Sequence, residues 1–463
     1  MLIIGLCYNH ASKLTNEVVM VLKRIFLMII VLVLLVVSSG CSANHAPRPN
    51  FFIIITDDQR LDTMEYMPNT QAGIFDQGVT FSEAFVTTPF CCPSRSSIFT
   101  GMYAHNHLVQ QNSDPLNIET IMAVLHEDGY YTGFVGKYLN SWAGEQRSEF
   151  DYWVTFKSGQ SVYKDPELNV NGTWNTYPGY ITYILSDHVM EFLDKSASQP
   201  KPFMMVFAPN APHTPTTPAK EDLSVYDQLP DYYVPSLNEE DLSDKPASIQ
   251  KKPILNADEL DQLDNIRRRQ ILTLVALDRK IGEILVKLEE TNQLDNTVIM
   301  FLSDNGLHWG EHRMDAKNTF YEESVHVPFG MRFPGLIPAP YVDDRLVANI
   351  DLAPTLYVLA GLPIPYRVDG MSLVNLFEPN KNWRDYILLE AWPPRGVWAA
   401  VHTGRYVYGE TENDLSEFYD LEVDPYQMEN QINNPEYEDI IAKLKKQLEK
   451  DKKLKFFPSR LFD

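Results

Sequence analysis

Cysteine is scarce in this chain. Its 463 residues include four: Cys7, Cys41, Cys91 and Cys92. Two of them fall in the first 41 residues and the other two are adjacent, so no framework of structural disulfides is available. A domain of this length is stable without one, and a vicinal Cys91–Cys92 bridge would be strained. Positive charge is also short, with 39 Lys and Arg against 62 Asp and Glu and a formal net charge of −23. That balance excludes nucleic acid as a partner. It also gives a polyanion no long-range steering, so an anionic substrate has to be held by local cations. A third absence is an apolar run long enough for a membrane span. The unbroken run over residues 25–37 has thirteen residues, which suits the core of a signal peptide and is short for a bilayer. There is no internal repeat and no extended low-complexity segment.

The apolar run defines a leader over residues 1–40. Lys23 and Arg24 precede it and Ser38-Ser39-Gly40-Cys41 follow. Small residues ending in Gly-Cys resemble a bacterial lipoprotein processing site, with Ser38 where Leu is usual. The reading is an exported protein lipidated on Cys41, in the periplasm or at the cell surface and anchored to the membrane by lipid only. Plain secretion is the alternative, and Met20 is a plausible true start. Residues 41–50 then form a polar tether.

From residue 51 the texture is α/β. Apolar runs at 51–55, 132–135, 203–208 and 297–302 predict strands buried on both faces. Each ends in polar residues: Thr56-Asp57-Asp58, Gly136-Lys137, Pro209-Asn210 and Ser303-Asp304-Asn305. In such sheets ligands bind beyond the carboxyl ends of the strands. Helical spacing of Ile271, Leu274, Val275, Ile281, Leu285 and Leu288 predicts a core-facing helix over 266–288. Residues 212–256 read as a long loop, and loops of that length in compact domains are usually functional. After about Trp383, alternating segments around 405–408 and 417–421 predict antiparallel strands, and 436–452 a charged terminal helix. The division is a catalytic domain over 51–382 and a C-terminal subdomain over 383–463.

Three features carry chemistry. The first is Cys91-Cys92-Pro93-Ser94-Arg95-Ser96-Ser97-Ile98-Phe99-Thr100-Gly101. Pro93 suits the first turn of a helix and Gly101 the position past its end. Residue 91 then lies at a helix N-terminus, where N–H groups and the dipole favour negative charge. The second is Asp57, Asp58, Asp304 and Asn305, three carboxylates and an amide carbonyl at strand ends. Adjacent acids repel unless a cation lies between them, and an all-oxygen set suits Ca²⁺ or Mg²⁺. The third is the scatter of Lys137, His213, Lys317 and the loop histidines His105, His107 and His308.

The pattern C-x-P-S-R-x-x-x-x-T-G resembles the signature of type I sulfatases, and the resemblance spans roughly residues 50–433. It implies an alkaline-phosphatase-like fold, with a large mixed sheet flanked by helices and a small C-terminal antiparallel sheet. It implies that a formylglycine-generating enzyme oxidises Cys91 to formylglycine, whose hydrate is the nucleophile and adds an oxygen to the metal. Asp57, Asp58, Asp304 and Asn305 match the metal ligands, Arg95 the arginine supporting the formylglycine, Lys137 and Lys317 the sulfate-binding lysines. His213 matches the histidine near the leaving oxygen. Many sulfatases carry a histidine two residues after the first lysine, where this chain has Leu139. The base that activates the nucleophile is therefore open between a local Asp, a water, His105, His107 and His308, and the three histidines are also candidate substrate contacts. Lys137-Tyr138-Leu139-Asn140, the doubled cysteine and Tyr103-Ala104-His105-Asn106-His107 resemble the N-acetylglucosamine-6-sulfatase and heparan-sulfate 6-O-sulfatase group. The implied substrate is a sulfated sugar, with 6-O-sulfated glucosamine first. The alternatives are a phosphonate monoester or phosphodiester hydrolase of the same fold, and a non-catalytic lipoprotein that binds sulfated glycans.

Overall fold

The computed structural model describes residues 48–453 apart from 366, 380, 394 and 395, with isolated leader positions 20, 25 and 28. The signal-peptide and Cys41 readings lie outside the described residues. The run Asn50–Thr56 forms the central strand of a ten-stranded sheet. It pairs in parallel with Thr297–Ser303 on one side and Phe203–Ala208 on the other. Tyr131–Gly136 and Tyr152–Thr155 continue the parallel set beyond Phe203–Ala208. Phe329–Arg332 runs antiparallel against Thr297–Ser303, and Glu167–Val170 and Thr173–Thr176 form an antiparallel hairpin at the far edge. The sheet is therefore mixed, with a parallel centre.

The apolar runs are continuous because both faces are covered. Phe51, Ile53 and Ile55 alternate onto one face, in a core shared with Ile98, Phe99 and Leu352. Phe52 and Ile54 point to the other, against Phe192, Leu274, Ile281 and Leu288. Each such side chain contributes about 1.5–3 kcal/mol by leaving water. On this second face lie the helices Ile181–Ala197 and Ala257–Glu290. The latter begins nine residues before the predicted start at 266. Its first turns carry Leu260 and Leu263 only half-buried, and the start is set by a capping box in which Asn256 Oδ1 accepts the Glu259 N–H and Glu259 accepts the Asn256 N–H. The long 212–256 segment contains a 3₁₀ stretch, Lys220–Gln228, and one helical turn, Ala247–Gln250.

The C-terminal part is a four-stranded antiparallel sheet, Ile387–Ala391, Trp398–His402, Tyr406–Thr411 and Glu417–Asp420, with the helix Glu438–Lys453. Leu444 and Leu448 of that helix pack on Leu388, Val401 and Phe418. The other face shares a core with the larger sheet's connections: Leu389, Ala400 and Val407 meet Phe85, Val325 and Val327. The described residues from 49 to 453 accordingly form one compact unit, in which the C-terminal sheet shares a core with the connections of the larger one.

One glycine fixes how the strands deliver their ends. Gly136 has φ +118°, and a Cβ there would lie 1.9 Å from the Ala208 carbonyl oxygen. That carbonyl accepts the Lys137 N–H at 2.7 Å. Gly136→Ala therefore combines a forbidden backbone angle with a backbone clash beside a functional lysine. The expected loss is about 2–3 kcal/mol or more, read as a lower Tm in thermal unfolding.

Candidate active site

The helix Cys91–Thr100 is buried along its whole length, unlike a surface helix with one wet face. It starts at Cys91, after an extended Phe90, and ends at Gly101, whose φ of 71° places it in the left-handed region and whose N–H bonds Ser97 O. The carboxyl ends of four parallel strands open above its N-terminus.

Cys91 is 2% exposed, and its sulfur accepts from Lys317 Nζ at 3.0 Å. Burial pushes its thiol above its ordinary value, and nearby Lys137 and Lys317 offset part of that shift. Lys137 Nζ donates to both Asp57 oxygens, at 2.9 and 2.8 Å. Burial alone would raise the Asp57 carboxyl, but Lys137, His213, Arg95 and Lys317 outweigh it and hold Asp57 below the usual range. Asp58 sits at φ +67°, donates its N–H to Asp304 Oδ1 at 3.1 Å, and accepts from Asn305 Nδ2 at 2.7 Å and from Lys317. It too is held low, with Lys317 and His213 outweighing burial. Arg95 donates through Nε to Asp304 Oδ2 at 2.8 Å and through Nη1 to Lys137 O at 2.8 Å. Burial nevertheless pushes Asp304 upward. His213 Nδ1 bonds Thr214 O at 2.5 Å, which leaves Nε2 facing Asp58 Oδ2 at 3.7 Å.

The structure thus brings Asp57, Asp58, Cys91, Arg95, Lys137, His213, Asp304, Asn305 and Lys317 into one cluster. Atoms of Asp57, Asp58, Cys91 and His213 all lie within 4.8 Å of one another. The cluster fits a hard divalent cation. Asn305 Oδ1 is buried without a hydrogen-bond partner, and the surrounding donors are carboxylate oxygens. Asp57, Asp58, Asp304 and Asn305 are the residues that would hold it.

Three expected residues are not brought here. His105 Nδ1 binds both Glu390 oxygens at 2.8 and 2.9 Å. His107 is buried against Ser97 Oγ at 3.0 Å and accepts the Val109 N–H, and burial pushes it down to about 3. His308 is buried, binds Thr319 Oγ1 at 2.9 Å, and is likewise pushed down to about 3. Each holds at least one hydrogen bond within the fold, and none of the three is among the side chains gathered around Cys91. Leu139 also points away, into the core beneath the sheet. Asn210, which the sequence marks only as a strand end, is 5% exposed, and its Oδ1 is buried without a hydrogen-bond partner. It follows the strand Phe203–Ala208 as Asp57 follows its own strand, so the same strand-end argument that flagged the acids applies to it.

Residues 49–362 match the sulfatase family, and residues 310–454 match the C-terminal domain of N-sulphoglucosamine sulphohydrolase. The chain is 33% identical to the human N-acetylglucosamine-6-sulfatase over 397 residues, covering 77% of this chain and 70% of that protein. It is 31% identical to the extracellular sulfatase SULF-1 homolog of Drosophila melanogaster, covering 74% of this chain and 33% of that much longer protein. Among solved structures, BT4656 in complex with its substrate D-glucosamine-2-N,6-O-disulfate superposes with a TM-score of 0.75 at 24% identity, over 88% of this chain and 98% of that one. The match over two thirds of the chain and the identity with the human relative settle the family: the chain belongs to the sulfatases.

Proposed function

We propose that the protein hydrolyses the 6-O-sulfate ester of glucosamine or N-acetylglucosamine residues, on a Ca²⁺ or Mg²⁺ ion and with formylglycine made from Cys91. The observation that carries the reading is the convergence of Lys137, Lys317 and Arg95 with Cys91 above Asp57, Asp58 and Asp304. A sulfate monoester is an anion that repels nucleophiles, and these cations offset its charge as the transition state forms. The oxygen-only donor set favours Ca²⁺. A hydrated aldehyde at residue 91 supplies two hydroxyls on one carbon, one to attack sulfur and one to expel sulfate. The 6-O-sulfated glucosamine reading rests on the 33% identity with the human N-acetylglucosamine-6-sulfatase.

We assign His213 to proton transfer at the leaving sugar oxygen: its Nδ1–H is committed to Thr214 O, so Nε2, which faces the cluster, is the nitrogen that must carry the proton transferred to that oxygen. His213→Ala is expected to lower kcat about 10²–10⁴-fold on the sugar sulfate. It should do far less on an aryl sulfate, whose phenolate leaves without a proton. The reading is tested with the full chain made alongside a formylglycine-generating enzyme. Sulfate released from N-acetylglucosamine-6-sulfate is measured by ion chromatography. Faster turnover of a phosphodiester or phosphonate monoester than of any sulfate ester would overturn it.

The leader supports export, with lipid attachment at Cys41 or plain secretion after its removal. Among the described residues no helix is long and apolar enough to cross a membrane. Incorporation of labelled fatty acid that is lost in Cys41→Ala distinguishes the two.

A further inference from the structure

We infer that Cys92 is a positioning residue for the anion-binding segment Lys137 to Asn140, and that Asn140 adds a hydrogen-bond contact of its own to a sulfate oxygen. The inference rests on the sulfate-ester reading and extends it to residues outside the expected set.

The signature leaves position 92 open, yet here that side chain is fully buried and bonded. Positions 92 and 95 are three apart on a helix and share a face. Both reach the same short segment. Arg95 Nη1 donates to Lys137 O at 2.8 Å, and Cys92 Sγ accepts the Asn140 N–H at 2.9 Å. Between those two anchors Tyr138 and Leu139 are buried in the core, and Tyr138 stacks on Phe99 of the same helix with ring centroids 5.7 Å apart. The helix that carries residue 91 therefore holds both ends of the segment that carries Lys137.

The grip also orients two carboxamides. Cys92 N–H donates to Asn112 Oδ1 at 3.0 Å, and Cys92 Sγ lies 3.5 Å from Asn140 Oδ1. With their oxygens turned to Cys92, both asparagines have their –NH₂ groups directed elsewhere. Among the described residues neither Nδ2 has a hydrogen-bond partner, and both side chains are partly exposed while Cys92 is not. A carboxamide –NH₂ only donates, and a sulfate group only accepts. Asn140 lies three residues past Lys137 on the same anchored segment, beside the cysteine that follows residue 91.

The test uses the matured full chain and four variants: Cys92→Ala, Cys92→Ser, Asn140→Ala and Asn140→Asp. The readouts are kcat and KM on N-acetylglucosamine-6-sulfate, and Ki for inorganic sulfate against an aryl sulfate. Asn140→Ala is expected to raise KM and sulfate Ki together by about ten- to hundredfold, the value of one hydrogen bond to an anion. Asn140→Asp is expected to raise both further, because a carboxylate repels the same group. Cys92→Ala should reproduce the Asn140→Ala shift, Cys92→Ser should recover part of it, and the double alanine variant should be no worse than Asn140→Ala alone. Unchanged sulfate Ki in Asn140→Ala would overturn the contact. A fall in Tm with unchanged Ki in Cys92→Ala would reduce Cys92 to a packing residue. If Cys92→Ala does not fold, the partly exposed Asn140 variants carry the test. Wild-type protein that turns over phosphodiesters faster than sulfate esters would sink the parent reading instead, and its inorganic sulfate Ki still reads the Asn140 contact.

Discussion

Cys91→Ala is expected to lower sulfate-ester turnover by about 10⁴–10⁶-fold, the scale at which loss of a nucleophile leaves only binding and electrostatic effects. The geometry localises the loss. Residue 91 is the first residue of the buried helix, and Lys317 reaches its sulfur at 3.0 Å. An unmodified cysteine does not substitute. Burial pushes its thiol above the ordinary value, so it is protonated at neutral pH and weakly nucleophilic. A thiol or a serine hydroxyl also lacks the second oxygen needed to expel sulfate. Protein made without a formylglycine-generating system should therefore be as inactive as Cys91→Ala, and so should Cys91→Ser. Intact-peptide mass spectrometry across residue 91 gives the parallel readout, a mass deficit relative to cysteine in active preparations. Aryl sulfatase activity that survives Cys91→Ala in purified protein sinks the mechanism. An unmodified thiol in protein from the native host would favour the binding-only alternative. The substitution removes one contact to Lys317 and opens little space, so the fold and Tm should be nearly unchanged, which separates lost chemistry from lost structure.

The strands bearing the site were legible because they are unmasked by tertiary context. Residues 51–55 and 297–302 are continuous apolar runs capped by charge, and they were observed as Asn50–Thr56 and Thr297–Ser303. A run buried on both faces reads the same in any register, so only its ends had to be placed. The short outer strands were not read, since Val79–Phe81, Glu167–Val170 and Tyr341–Asp343 are three or four residues long and take their conformation from their neighbours. The surroundings of the histidines, by contrast, needed the fold. A histidine in a polar loop looks available until its partner is known, and for His105 that partner is Glu390, 285 residues away. Buried acids paired with buried cations, by contrast, were inferable in kind, because charges at strand ends require a counter-charge. Their pairing as Asp57 with Lys137 and Asp304 with Arg95 needed the fold.

The second large effect concerns that pairing. Asp57→Ala is expected to lower kcat by about 10³–10⁴-fold, the several kcal/mol that a lost cation site removes from transition-state stabilisation. It should also destabilise the protein itself. Lys137 is fully buried and Asp57 supplies both of its carboxylate contacts, so truncation leaves an ammonium in the interior without its counter-charge. Breaking such a pair from one side costs about 3–5 kcal/mol. Asp57→Asn keeps the shape and an acceptor oxygen, and should lose most of the activity with a smaller fall in Tm. Metal removal separates the two contributions. Dialysis against EDTA should abolish turnover in the wild type, with recovery on adding Ca²⁺ and, to a different extent, Mg²⁺. Added Ca²⁺ should raise the wild-type Tm by mass action, since binding to the folded state alone is stabilising. The same addition should leave the Tm of Asp57→Ala unmoved. A wild type whose activity and Tm are both indifferent to chelation and to Ca²⁺ would show that the carboxylate cluster serves only to hold Lys137 and Lys317. In that case the orphaned Asn305 oxygen would need another partner.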